Sequence, residues 1–236
     1  MHVLKQIAFG LALMVAGTLG KAVQAAPIPW SNSSGMSSTL MWSNGQSDNG
    51  LFGDPTIVDN DPSSPGTHFI FFPNNFKAVS SNGIAANTSD RLSVTLMVKS
   101  ADAKFLSFDV KELGDYSILG TGSVSATGAL FVTNLNSPFG TGSDTLHTNP
   151  AMPVTTVTAA SGNWEGNESV PGNGWTKVQL VLNNVLQATS GPNSTSQIEK
   201  KVVPIDIRVI VPEPTTAGLL LMTGVLFLAR RRTTLA

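Results

Sequence analysis

Hydrophobic and polar residues alternate along much of the chain after residue 60. In residues 91–99 every second position is Leu or Val, and residues 201–211 repeat the alternation with Val and Ile. A period of two is typical of half-buried antiparallel strands. The strands predicted in this way cover residues 68–72, 91–99, 106–110, 116–119, 123–126, 129–133, 154–159, 175–182 and 201–211.

The remaining pattern limits the fold class. Residues 26–60 are rich in Ser, Asn and Gly and predict mostly loops, and residues 26–211 contain no amphipathic helix of ten or more residues. Many short strands separated by turns predict an all-β fold, an antiparallel β-sandwich of jelly-roll-like type. A solenoid is the alternative, but the chain shows no repeat of fixed period.

The N-terminus has the three regions of a secretory signal peptide. Lys5 supplies a positive charge, residues 7–19 are apolar, and small residues lead up to Ala25 and Ala26. We therefore expect a signal helix that is cleaved after Ala25, with cleavage after Ala26 as the close alternative. The other interpretation is an N-terminal membrane anchor that is retained.

The C-terminus ends in three elements within 25 residues. In order they are Pro212, Glu213 and Pro214, an apolar run over residues 215–229, and Arg230, Arg231 and Arg232. On length alone the apolar run could also be a buried core helix. The three arginines favour a transmembrane helix with a stop-transfer cluster, because a globular core would have to bury them. The two prolines keep the motif extended, because each fixes φ and lacks a backbone N–H.

These three elements resemble the PEP-CTERM sorting signal of exported bacterial proteins. The resemblance implies recognition by an exosortase, a membrane-embedded transpeptidase, removal of the anchor near the motif, and transfer of the body to the cell surface or the exopolysaccharide matrix. It divides the chain into a signal peptide (residues 1–25), a β-sandwich body outside the cytoplasm (residues 26–211) and the sorting signal (residues 212–236). The precursor would be a single-pass membrane protein.

Charge and composition agree with export. The net charge of −1 conceals a body with 9 basic and 14 acidic residues between apolar, basic ends. An acidic body without a Lys/Arg stripe excludes ordinary nucleic-acid binding. The chain has no Cys, which excludes disulfides, thiolate metal sites and a cysteine nucleophile.

Candidate catalytic chemistry is sparse. His68 and His147 lie far apart in sequence without ligand spacing, and no nucleophile elbow occurs. The sequence therefore predicts a non-enzymatic surface or matrix protein. The alternative is a secreted carbohydrate-active hydrolase, which needs paired carboxylates. The acidic residues available for such a pair are Asp109, Glu112 and Asp115, or Glu165 with Glu168.

The sequence also offers two candidate binding sites in the body. Trp164 lies among polar residues and could stack on a sugar of an extracellular polysaccharide, or could instead fold onto the edge of the sandwich. Asp54, Asp59 and Asp61 share a loop rich in oxygen donors, which is the kind of loop that binds calcium. Asp and Asn are equally common in ordinary turns. No other cofactor is expected.

Overall fold

The described part of the chain consists of β-strands. A computed structural model describes residues 26–61, 64–136 and 140–211, and within these ranges there is no helix. The predicted all-β class is confirmed. The signal helix, Ala25, the motif of Pro212, Glu213 and Pro214, the transmembrane helix and the three terminal arginines lie outside the described residues.

Fifteen strands occur in the described ranges. They are β1 Ile28–Pro29, β2 Gly35–Met36, β3 Leu40–Ser47, β4 Thr56–Asp61, β5 Ser64–Phe71, β6 Lys77–Ser81, β7 Ala86–Val98, β8 Lys104–Leu119, β9 Gly122–Asn134, β10 Thr141–Thr145, β11 His147–Asn149, β12 Val154–Thr156, β13 Ala159–Pro171, β14 Lys177–Ser190 and β15 Thr195–Ile210.

The strands form two antiparallel sheets. The first has the order β1-β3-β7-β14-β9-β10, with β2 on β3 and β12 on β9. The second has the order β11-β13-β8-β15-β5-β4, with β6 also paired to β15. The long strands β14 and β15 follow each other in sequence but belong to different sheets, so residues 191–194 connect one sheet to the other.

Both sheets place their apolar positions against one hydrophobic core. In β14 the even-numbered positions from Val178 to Ala188 are buried, and the odd-numbered ones are more exposed, as the pleat requires. Core residues of the first sheet include Leu40, Leu92, Leu96, Leu130 and Leu180, and those of the second include Phe69, Phe108, Val170 and Ile205. The chain has no disulfide, and this core and the sheet hydrogen bonds stabilise the fold.

The strand prediction was wrong for β1 to β4, which lie in the predicted loop region, and it missed β6, β10, β11 and β13. Residues 40–47, in the predicted loop region, form β3, whose apolar alternation stops at a bulge between Ser43 and Gln46. Residues 159–171 were not predicted as a strand, yet they form β13. The inward positions of β13 include Gly166 and Glu168, so a search for alternating apolar residues does not detect it.

Candidate functional site

Four polar side chains meet in the interior between the two sheets. Lys200 and Glu112 are 0% exposed, Asn184 is 1% exposed and Glu168 is 2% exposed. Each comes from a different strand, β15, β8, β14 and β13 respectively. We call these four residues the interior polar cluster. Burial of this kind is rare for Lys and Glu and requires compensating contacts.

Sheet register brings the cluster together. In the second sheet Glu112 pairs with Gly166 and Lys200 pairs with Gly114, so β13, β8 and β15 present their polar side chains at the same level. Both partners are glycines. A Cβ at position 114 would collide with the backbone carbonyl of Glu199 and with the ring of Trp164, so the close packing at this level requires glycine. Asn184 approaches from the facing sheet.

Lys200 donates hydrogen bonds to two members of the cluster. Its Nζ contacts Oε2 of Glu112 and Oδ1 of Asn184. Nδ2 of Asn184 donates to the carbonyl oxygen of Asn183 at 2.9 Å. Oε1 of Glu112 and both carboxyl oxygens of Glu168 are buried and have no hydrogen-bond partner among the described residues. A buried carboxyl group with neither oxygen hydrogen-bonded, such as that of Glu168, favours its neutral form.

Aromatic rings enclose the Lys200 amine. Nζ lies 5.2 Å from the ring centroid of Phe76, 5.7 Å from that of Trp164 and 5.8 Å from that of Phe52. Nε1 of Trp164 donates to the carbonyl of Glu199 at 3.1 Å, which fixes the indole beside Lys200. Water is therefore largely excluded from the amine.

The environment shifts two pKa values in opposite directions. Burial lowers the pKa of Lys200, against the opposing effect of the Glu112 carboxylate. Burial raises the pKa of Glu168 to about 9, and the charge of Glu112 adds to the effect. Glu168 is therefore protonated at neutral pH and can donate a proton. The cluster combines an amine, a primary amide and a carboxylic acid in a dry site.

A surface groove of about 360 Å³ lies outside the cluster. Its lining includes Asp109, Asp144, His147 and Asp206, and Glu168 as well. Burial raises the pKa of Asp144, but hydrogen bonds from the Ser169 amide and His147 outweigh it and lower that pKa overall. The groove thus has an ionised carboxylate on its wall, whereas the carboxyl oxygens of Glu168 are buried in the interior polar cluster.

Trp164 does not lie on the surface. It is 1% exposed and sits in the core beside Lys200. No ring face is open to a sugar, which corrects the expectation of a carbohydrate contact. The alternative, a Trp folded onto the edge of the sandwich, is also wrong, because Trp164 lies in β13 with its ring in the core.

Two of the three calcium candidates, Asp54 and Asp59, accept hydrogen bonds from residues of a neighbouring segment. The carboxylate of Asp54 accepts hydrogen bonds from the amide and the hydroxyl of Ser31, and Asp59 accepts them from the amide and hydroxyl of Ser38. Asp61 lies in β4, and its side chain is outside the description. Within the described ranges no three His, Cys, Asp or Glu residues are grouped as metal ligands.

The carboxylates proposed for a hydrolase are dispersed. Glu112 and Glu168 belong to the interior polar cluster. Glu165 is bound to Lys111 at 3.0 Å on the surface, and Asp115 lies 3.6 Å from Lys201. The remaining candidate, Asp109, accepts hydrogen bonds from the hydroxyls of Ser107 and Ser169.

The two histidines are far apart in the structure as well as in the sequence. His68 is buried and contacts Asp206 through Nδ1, whereas His147 is exposed beside Asp144, with 3.1 Å between Nε2 and Oδ1. Each is paired with a carboxylate, as a structural histidine commonly is.

Sequence reasoning missed Lys200 and Asn184. A signal for both was present, because polar residues at inward positions of an alternating strand stand out. Asn184 follows Leu180 and Leu182 in the buried row of β14. Lys200 follows Ile198 in the buried row of β15, just before a bulge.

Comparisons with known proteins leave the family open. No protein-family model matches the chain, and no curated protein gives a significant match. Among the residues that the structure describes, no helix is both long enough and apolar enough to span a membrane.

Proposed function

We propose that the chain is an exported, non-enzymatic protein of the bacterial cell surface or exopolysaccharide matrix. Its β-sandwich body is membrane-tethered by the C-terminal sorting signal and is then released by exosortase-type processing. Its partners are the exosortase, the membrane before processing, and an extracellular polysaccharide around the released body.

One observation carries the proposal. β15 ends at Ile210, and the Pro212, Glu213 and Pro214 motif starts two residues later. The last strand of the body therefore leads directly into the tripartite tail, as expected for a folded domain joined to a removable anchor. Proline cannot donate a sheet hydrogen bond, so the two prolines of the motif are expected to disfavour an extension of β15.

The architecture supports the same proposal. Eight of the described strands have eight or more residues, and the chain crosses repeatedly between the two sheets. A jelly-roll-like sandwich is the form we propose for this body. Antiparallel sandwiches of this kind are common in surface and lectin domains, although fold alone does not assign function.

The proposal is tested by expressing the full chain in a host with an exosortase and in the same host without it. We expect the shortened, released protein only in the first host and the full-length, membrane-bound chain in the second. Glu213→Ala should retain the full-length chain in the first host, whereas the control Glu165→Ala removes an exposed body carboxylate and should be processed normally. Equal processing in both hosts would contradict the proposal.

The second candidate is a carbohydrate-active hydrolase, and the groove favours it. Asp109, Asp144 and Asp206 line the groove, so it holds more than one carboxylate, as a glycosidase requires. A glycosidase and esterase screen alongside a glycan array separates the two candidates. Turnover that is lost in Asp144→Asn would favour the hydrolase, and glycan binding without turnover would favour the matrix protein.

A further inference from the structure

We infer that Lys200 and Asn184 become joined by an intramolecular amide bond between Nζ and Cγ, formed in the folded protein with release of ammonia. The bond would link β14 in the first sheet to β15 in the second. This modification is independent of how the chain is sorted. The inference rests on the geometry of the interior polar cluster.

The nucleophile and the electrophile are in contact. Nζ of Lys200 donates a hydrogen bond to Oδ1 of Asn184, and the amide carbon Cγ is bonded to that oxygen. Both side chains are held between two packed sheets and are 0% and 1% exposed. Holding reacting groups in this way converts a slow reaction between separate molecules into an intramolecular one.

The amine is in a setting that favours its neutral, nucleophilic form. The rings of Phe52, Phe76 and Trp164 surround Nζ at 5.2 to 5.8 Å and exclude water. Burial lowers the pKa of Lys200. Glu112 contacts Nζ and is the nearest base that can take its proton. A desolvated lysine beside a base is an activated nucleophile.

Glu168 is placed to protonate the leaving nitrogen. A Cβ at Gly128 would collide with Nδ2 of Asn184 and would lie 3.1 Å from Oε1 of Glu168, so the amide and the carboxyl group approach the same gap in β9. The Glu168 carboxyl is buried, and within the described ranges neither of its oxygens has a hydrogen-bond partner. Burying an acid without a hydrogen-bond partner costs folding free energy, and a role in proton transfer would explain why such a group is present.

The reaction balances without an added reactant. Nζ of Lys200 first gives a proton to Glu112 and attacks Cγ of Asn184, while the C=O π electrons move to Oδ1. When the carbonyl re-forms, the bond from Cγ to Nδ2 breaks. Nδ2 takes the proton of Glu168, and a proton from Nζ replaces it. The products are one amide, one ammonia and a protonated Glu112, with no oxidation or reduction.

A tryptic peptide map of the full-length chain tests the bond directly. Lys177, Lys200 and Lys201 are consecutive cleavage sites, so Asn184 and Lys200 fall in one peptide. The protein is purified in its folded form, then denatured and digested. We expect a peptide of residues 178–201, uncleaved at Lys200 and lighter by one ammonia. Fragmentation should yield no ions from single breaks between Asn184 and Lys200, because these residues close a ring.

Other maps would overturn the inference. A linear peptide of residues 178–200 at its full mass shows that no bond forms. Loss of ammonia with normal cleavage at Lys200 shows a succinimide at Asn184 instead. Loss of water with a link to the peptide that contains Glu112 shows an amide to the carboxylate and not to Asn184.

Matched variants separate the chemistry from the fold. Asn184→Ala and Lys200→Arg should abolish the ring, and Glu112→Gln should slow its formation by about 100-fold or more. The controls are the adjacent residues, Asn183→Ala and Lys201→Arg, which should form the ring at the normal rate. If every variant of the cluster misfolds, the wild-type map still decides, because it requires no substitution.

Discussion

Polar side chains at inward strand positions make part of this protein's core polar. Asn184 occupies a place in β14 that its neighbours Leu182 and Leu186 fill with aliphatic side chains. A buried pair such as Lys200 and Glu112 rarely adds net stability over a hydrophobic replacement. Its presence in the core therefore points to chemistry more than to stabilisation.

Gly128 provides a test of how tightly the cluster is packed. We expect Gly128→Ala to destabilise the protein by about 1–3 kcal/mol, since the added Cβ would lie 2.9 Å from the backbone carbonyl oxygen of Asn183, a contact that does not depend on whether Nδ2 of Asn184 has left. Urea unfolding measures the change. The neighbouring Thr127→Ala, an exposed position, should change stability by less than about 0.5 kcal/mol. Equal effects of the two variants would show that the gap in β9 is not tightly filled.

The raised pKa of Glu168 predicts how stability depends on pH. Its pKa rises from 4.5 to about 9 on folding, so between these values the folded state keeps a proton that the unfolded state releases. Stability therefore falls as pH increases through this interval. In an Asn184→Ala background, which cannot form the amide, Glu168→Gln should remove a loss on the order of 2 kcal/mol between pH 6 and pH 8.

Urea unfolding at the two pH values measures this loss. The surface variant Glu165→Gln in the same background serves as the control, and it should keep the full pH dependence because Glu165 is exposed. A pH slope that Glu168→Gln leaves unchanged would show that Glu168 is ionised in the folded protein.

At the scale of single residues, the sequence predicted which positions are buried better than it predicted which residues contact each other. The alternation in residues 91–99 and 201–211 correctly identified which face of each strand is buried. It could not identify the interior polar cluster, because the cluster depends on the register of β8 with β13 and β15 and on the packing of β14 from the facing sheet. Trp164 shows the same limit: its polar neighbours in sequence suggested a surface position, yet its inward phase in β13 buries it.

At the scale of elements, the long central strands make most of the sheet pairing that stabilises the fold. β14 is paired along nearly its whole length with β7 on one side and β9 on the other, and β15 pairs with β8, β5 and β6. The strands β1, β2, β11 and β12 have only two or three residues each. Local opening is cheapest where few hydrogen bonds and contacts must break.

Hydrogen exchange should follow this division. We expect backbone amides of β14, β15 and β8 to exchange last, by global unfolding, and those of β2, β11 and β12 to exchange first. Mass-spectrometric hydrogen exchange on the folded chain measures both groups. β9 offers an internal control, because it lies next to β14 and should resemble it. Equal exchange of β14 and β12 would contradict the central role of the long strands.

Predicted and observed elements agree where apolar residues alternate without interruption. The two predicted strands at residues 106–110 and 116–119 are one strand, β8, because Glu112 and Gly114 interrupt the apolar pattern without ending the pairing. β13 was missed for the same reason. Polar and glycine residues at inward positions hide a strand from pattern reading, and here the same residues build the interior polar cluster.

At the scale of the whole molecule, charge is distributed unevenly along the chain. The body has 9 basic and 14 acidic residues, whereas the two ends are basic and apolar. This distribution is typical of a chain whose ends serve export and whose body works outside the cytoplasm. The body has no Cys, so an amide between β14 and β15 would be its covalent link between the sheets.

The C-terminus of the mature protein tests the central claim most directly. The protein is recovered from the surface or medium of a host that carries an exosortase, and its C-terminal peptide is identified by mass spectrometry. The account predicts a chain that ends at or near Pro212, Glu213 and Pro214. A mature chain that still carries Arg230, Arg231 and Arg232 would contradict the proposal of a removable anchor.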